Sequence, residues 1–195
     1  ESLPEDDMQR PRKRLDVIVS EGQRLSRLIG NVLTFARQER RSLQPTFSRR
    51  VPDDIIEQVL KHFQPALATL GIRVETELNA VETQRLDSDF LAQILGNLIS
   101  NVEKYTTDSE SLTICSRIEE GTVIIDVIDD GPGIAAQDRD RIFEPFVRLS
   151  QDISSAAGTG IGLSISRELA RLHGGDVRLM DSSSGCHFFV TLRLP

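Results

Sequence analysis

Apolar residues recur along this chain at two different periods, and the change from one to the other lays out its elements. Leu15, Ile18, Gly22, Leu25, Ile29, Val32 and Ala36 fall at steps of 3, 4, 3, 4, 3 and 4, which is a heptad seam. Arg24, Arg27, Asn31 and Arg37 lie off that seam, while Leu28 and Phe35 widen the apolar surface to what a bundle helix requires. A single helix cannot bury its own stripe, so this one calls for a second copy or for a neighbouring helix outside the sequence. Residues 1–10, with Pro4 and the nearby Pro11, read as a loop entering it.

Residues 40–50 read as a linker ending in a short strand, and Pro52-Asp53-Asp54 opens a second helix that runs to about Leu70. Ile55, Ile56, Val59, Leu60, Phe63 and Leu67 form its apolar side, Pro65 predicts a bend, and Gly71 stops it. Residues 72–78 alternate like a half-buried strand. A strongly apolar helix follows over 89–105, then two alternating strands over 111–118 and 122–129, joined at Glu119-Glu120-Gly121. Residues 139–148 predict a short helix or turn carrying two phenylalanines. A helix over 161–173 closes at Gly174-Gly175, and strands over 176–181 and 187–194 complete the pattern. This mixture predicts an α+β fold, a two-layer α/β sandwich on a mixed, largely antiparallel sheet, preceded by a bundle helix.

Composition narrows the picture. Of 195 residues 38% are hydrophobic, enough for a core and against a wholly disordered chain. No run approaches the roughly 18–20 apolar residues of a spanning helix, and the first residues do not read as a signal peptide. The net charge of −7 argues against general nucleic-acid affinity. That charge is uneven: residues 1–50 hold 11 basic and 7 acidic side chains, and the remainder is strongly acidic, which suggests two modules. Cys115 and Cys186 stand far apart, a spacing that fits neither a zinc site nor a disulfide framework and suits reduced thiols. The start at Glu1 rather than Met reads as a piece of something longer.

Four clusters carry candidate chemistry. Asn97, Asn101 and Lys104 fall at i, i+4 and i+7 of one helix, with Tyr105 beside them, so one face presents two amides and an ammonium. Asp129-Asp130-Gly131-Pro132-Gly133 ends an apolar strand, where a carboxylate followed by glycines can accept a hydrogen bond from an amine buried against the loop. Gly158-Thr159-Gly160-Ile161-Gly162-Leu163 enters a helix, and its backbone N–H groups and helix dipole suit an anion. It is neither a Walker A loop nor a dinucleotide fingerprint. Phe143-Glu144-Pro145-Phe146-Val147-Arg148 reads as a hydrophobic plug with an arginine.

In this order and spacing the four clusters resemble the N, G1, F and G2 boxes of the histidine kinase ATP-binding domain, within the superfamily shared with gyrase, mismatch-repair and chaperone ATPases. The resemblance covers residues 46–195, through the closing Gly185-Cys186-His187-Phe188 pattern. Residues 15–38 resemble the second helix of the dimerisation and phosphotransfer hairpin, whose first helix, bearing the phosphoacceptor histidine, is not in this sequence. The resemblance implies a partial hairpin over 1–45 and an ATP-binding catalytic domain over 46–195. It implies Asp129 on the adenine amino group, Asn101 on Mg²⁺ with Asn97 beside it, Lys104 near the phosphates and Tyr105 against the nucleoside. Gly131 and Gly133 would shape the adenine pocket; Gly158, Thr159, Gly160, Gly162 and Leu163 would form the phosphate loop; Arg148 would sense phosphate. It implies a lid over about 148–158 that orders on ATP. Implied partners are ATP, a response regulator receiver domain and a second copy of the chain through residues 15–38. The implied location is cytoplasmic, with any membrane attachment in other parts of the parent.

Val102 stands where the family usually has Ala, which narrows the pocket. Direct ATP hydrolysis is the competing class: gyrase and chaperone relatives place a Glu four residues before the metal-binding Asn, where this chain has Asn97, and an amide is no general base. A non-catalytic nucleotide-binding module is the other alternative. His62, His173 and His187 read as a half-exposed helix residue, a helix-end cap partner and a strand residue, and none lies in a phosphoacceptor context.

Overall fold

The computed structural model describes residues 22, 25, 26, 29–34, 36, 43–105, 111–149 and 159–195. The described residues between 22 and 36 are helical and form an N-terminal helix. Leu25, Ile29 and Val32 of the heptad seam are 57%, 59% and 51% exposed, so the seam faces away from the rest of the molecule. Leu15, Ile18, Leu28 and Phe35 lie outside the described residues.

The domain that follows is built in the order β1 (Ser48–Arg50), α1 (Pro52–Thr69), β2 (Arg73–Leu78), β3 (Gln84–Leu86), α2 (Ser88–Tyr105), β4 (Ser111–Glu119) and β5 (Thr122–Asp129). Two 3₁₀ turns at Ala136–Asp138 and Arg141–Phe143 lead to α3 (Gly162–Leu172), β6 (Asp176–Met180) and β7 (His187–Arg193). Five strands form one sheet in the order β2-β4-β5-β7-β6, parallel only between β2 and β4. β1 and β3 pair separately.

Side chains alternate across a strand, and that alternation decides which face is covered. Leu112, Ile114, Val123, Ile125, Val127, Val177, Val190 and Leu192 all point to one face and pack with Ile56, Leu67, Leu91, Leu98, Ile165 and Leu169 from the three helices. Helices lie on this face alone among the described residues, giving the expected two layers. Pro52 opens α1, and Asp53 Oδ1 accepts from Ser116 Oγ at 2.5 Å, pinning the start of α1 to β4. Pro65 is accommodated within α1, which continues to Thr69.

Two expectations need correction. The strand over 72–78 is not half buried: β2 is a sheet edge, and from Arg73 to Glu77 every residue is exposed, because only one side of the strand has a neighbour. β3 was not expected at all; its three residues carry no alternation of their own, and its pairing with β1 is a contact between distant segments. The hairpin between β4 and β5 does turn at Glu120-Gly121, with φ of 47° and 73°, the left-handed pair that a tight two-residue turn demands. Among the described residues no helix is long and apolar enough to cross a membrane.

Candidate functional site

α2 is held in place from its first turn. Asp87 Oδ1 accepts from the N–H groups of Asp89 and Phe90, both at 3.0 Å, a helix cap that satisfies two otherwise orphaned donors. Phe90, Leu91, Ile94, Leu95, Leu98, Ile99 and Val102 bury one side of the helix. The adjoining face brings Asn97, Asn101, Lys104 and Tyr105 to the wall of a cavity of about 360 Å³.

Asp129 lies in that wall at the end of β5 and is only 5% exposed. Its own N–H donates to the Cys186 carbonyl at 2.9 Å, and its Oδ1 accepts from Gly131 N at 3.0 Å and Cys186 N at 3.3 Å. Oδ2 accepts no hydrogen bond among the described residues. Burial is the larger influence and lifts this carboxyl above the ordinary aspartate range, opposed by the two backbone donors and assisted by Asp130. The Gly185 turn makes the shelf possible: at φ +65° a Cβ there would stand 1.8 Å from the Asp129 carbonyl oxygen. The Cys186 thiol also lines the cavity, and burial followed by the neighbouring Asp129 pushes it up to about 12, so it is a neutral wall atom at physiological pH.

The glycine-rich segment also lines the cavity. Thr159, Gly160, Gly162 and Leu163 line it, as do Gly133 and Arg148. Phe146 N donates to Gly160 O at 2.9 Å, joining the two segments. The Phe-Glu-Pro-Phe cluster is only half a plug. Phe143 packs against the core beneath the Arg167 guanidinium, 4.7 Å from its ring centre, whereas Phe146 has φ 66° and is 65% exposed. Gly131 acts through its bond to Asp129 rather than as cavity wall. Residues 150–158, which include Gly158 and most of the lid expected over about 148–158, lie outside the described residues.

Asn97 also makes hydrogen bonds within the chain. Its Nδ2 donates to Gly162 O at 3.0 Å and to Ser166 Oγ at 3.2 Å, and its Oδ1 accepts from Asn31 Nδ2 at 2.9 Å. Sequence reading missed Asn31 as part of the cavity wall; its position off the heptad seam was the available signal. It also missed Ile134, Ile142, Cys186 and Phe188, which supply the apolar wall.

A cavity of this size lined by a buried acceptor, amides, a lysine and a glycine-rich segment suits a polar ligand such as a nucleotide. The family described as histidine kinase-, DNA gyrase B- and HSP90-like ATPase matches residues 86–195. The chain belongs to this ATPase family. Among its relatives, the sensor-like histidine kinase SenX3 of Mycolicibacterium smegmatis is 30% identical over 97% of this chain and 50% of that protein. Full-length ShkA, solved in complex with AMPPNP, aligns over all of this chain and 40% of that one, with a TM-score of 0.76 at 26% identity. Histidine kinase ThkA in complex with the response regulator protein TrrA aligns over all of this chain and 53% of that one, with a TM-score of 0.70 at 22% identity. The chain thus spans half or less of the length of the curated relatives SenX3 and RppB. Its sequence relatives within this ATPase family include the histidine kinases SenX3, RppB and DivJ.

Proposed function

We infer that this chain is the nucleotide-binding catalytic portion of a sensor histidine kinase, which binds Mg-ATP and presents its γ-phosphoryl group to a histidine borne outside this sequence. The observation that carries the reading is the buried Asp129 carboxylate, fixed by two backbone N–H groups at the wall of a cavity that is also lined by Asn101, Lys104, Gly160 and Gly162. A buried charged acceptor with one oxygen uncommitted suits an exocyclic amine, and the basic and backbone donors suit phosphates.

The donor set also suits magnesium. No cluster of three or more His, Cys, Asp or Glu side chains is placed to hold a metal among the described residues. Amide oxygens are hard neutral donors, and Mg²⁺ prefers to arrive with phosphate oxygens and retain waters. Asn101, with Asn97 beside it, would hold the ion, which when bound neutralises charge on the phosphates. The chain's own part in phosphoryl transfer is to position the nucleotide and exclude competing water.

Hydrolysis has little support here. Asn97 occupies the place of a general base, and both of its polar atoms are engaged by other groups. The three histidines are poor acceptors: His173 is 3% exposed with both ring nitrogens bonded, His187 Nε2 meets Asp126 at 2.6 Å, and His62 is exposed on α1. The reading includes a division into a partial hairpin over 1–45 and a catalytic domain over 46–195, pairing of two copies through the exposed seam, and a response regulator as phosphoryl recipient. The ThkA–TrrA complex supports the last of these by analogy. Calorimetric titration with an ATP analogue, with and without Mg²⁺, tests the reading; absence of binding in both conditions overturns it.

A further inference from the structure

The side-chain amides between the N-terminal helix and the cavity form a relay with a fixed direction. A carbonyl can only accept, so the Asn97 end facing Gly162 O must be Nδ2. That turns Asn97 Oδ1 toward Asn31, which must present its own Nδ2, at 2.9 Å. Asn31 Oδ1 in turn accepts from Gln93 Nε2 at 3.0 Å, and Gln93 also exchanges contacts with Thr34 Oγ1 at 3.1 and 3.3 Å. Asn31 is 8% exposed, while Leu25, Ile29 and Val32 on the same helix are more than half exposed. Among the described residues, the helix meets α2 through Asn31 and Thr34.

Asn97 has a single oxygen able to bind a cation, and Asn31 holds it. An N–H group aimed at that oxygen turns its positive end toward any cation bound there, at a range where the repulsion is substantial. We propose that Asn31 is a latch on the nucleotide site: Asn31 and a magnesium-bound nucleotide compete for Asn97 Oδ1, so that loading the site releases the N-terminal helix from α2. The helix docked through Asn31 is the unloaded arrangement, and the helix freed from Asn97 is the loaded one. Because Asn97 Nδ2 is bonded to the first residue of α3, the same exchange reaches the glycine-rich segment. This inference rests on the nucleotide reading above.

The test is a titration of a non-hydrolysable ATP analogue into the whole chain, in Mg²⁺ and in chelator, for the wild type, Asn31→Ala and Asn31→Asp. Removing one hydrogen bond that opposes binding should tighten the Mg²⁺-dependent affinity of Asn31→Ala by about two- to tenfold. Affinity in chelator should change less than affinity in Mg²⁺. Asn31→Asp, which replaces the donor with an anionic acceptor, should tighten Mg²⁺-dependent binding further. In the wild type, hydrogen exchange over residues 29–34 should quicken when the Mg²⁺ analogue complex is added and not when the analogue is added alone. Unchanged or weakened binding by Asn31→Ala in Mg²⁺ overturns the latch. An equal gain with and without Mg²⁺ also overturns it, because the helix would then only obstruct the cavity. If the wild type binds in neither medium, the nucleotide reading fails and the latch with it.

Discussion

The backbone N–H of Asp87 donates to Nε2 of His173 at 3.1 Å, across 86 residues of chain. His173 Nδ1 lies 3.0 Å from the Arg193 carbonyl, which can only accept, so the proton resides on Nδ1 and Nε2 is the acceptor. Asp87 meanwhile caps α2 and accepts from Thr46 N through Oδ2 at 2.5 Å, and Phe47 sits edge-on to the imidazole with ring centres 5.0 Å apart. One buried ring thus ties together the linker after the N-terminal helix, the start of α2, the end of α3 and the last strand.

His173→Leu keeps the volume and removes both hydrogen bonds, leaving a buried N–H and a buried carbonyl unsatisfied. The variant should lose on the order of 3 kcal/mol of stability, measured by denaturant unfolding. A loss under about 0.5 kcal/mol would mean that water replaces the ring's partners.

Asp129→Ala should weaken nucleotide binding by about 1.5–3 kcal/mol, roughly ten- to hundredfold, with normal circular dichroism. Unchanged affinity in calorimetry would remove Asp129 from the adenine contact. Asn101→Ala, by contrast, should remove mainly the Mg²⁺-dependent part of the affinity, and equal losses in Mg²⁺ and chelator would argue against its role as a ligand.

The raised carboxyl of Asp129 sets a pH dependence. Binding that needs the ionised form weakens as pH falls through the folded-state value, so the decline should begin above the ordinary aspartate range. The effect on stability has the opposite sign: protonation relieves the buried charge, so this group favours the folded state as pH falls. An affinity profile flat down to the ordinary aspartate range would refute the raised carboxyl.

Asp176 behaves in the reverse way. Burial alone would raise it, but Arg167, at 2.9 Å, and Arg178, at 3.3 Å, hold it below the usual carboxylate range. Its stabilising effect is complete above the unfolded-state value and disappears as pH falls through the lowered one. Asp176→Asn should be less stable than the wild type at neutral pH, and the gap should close in acid. A gap independent of pH would point to packing instead.

Two glycines separate close approach from turn geometry. Gly185→Ala forces a Cβ into the Asp129 backbone and should abolish nucleotide binding along with much of the stability. Gly121 has φ +73° but nothing within 4 Å of a Cβ, so Gly121→Ala should cost only about 1–2 kcal/mol and leave binding intact. Thermal melts with analogue binding distinguish the two.

Much of this was legible because local patterns and tertiary roles agree. The apolar positions of α2 are its buried side, the turn at Glu120-Gly121 is where left-handed residues are needed, and Asp129 is both a strand end and a buried acceptor. The rest depended on contacts between distant residues. β2 alternates like a half-buried strand, yet exposure follows from its place at the edge. His173 looked like a helix-end residue because nothing near it in sequence reveals Asp87 or Arg193 as partners. Asn31 could be set apart from the seam but not assigned to Asn97, since helix docking is settled by surface matching rather than by periodicity.

The place of β7 in the sheet has a consequence for biosynthesis. β7 is the penultimate strand across the sheet but the last along the described chain, and it joins β6 to β5. The shelf under Asp129 is supplied by Cys186, 57 residues later. While the ribosome is still adding residues at about 5–20 per second, β4 and β5 can pair as a hairpin, but Asp129 has no floor. β7 therefore cannot join β6 to β5, and the wall that Cys186 gives Asp129 cannot form, until Arg193 has cleared the exit tunnel.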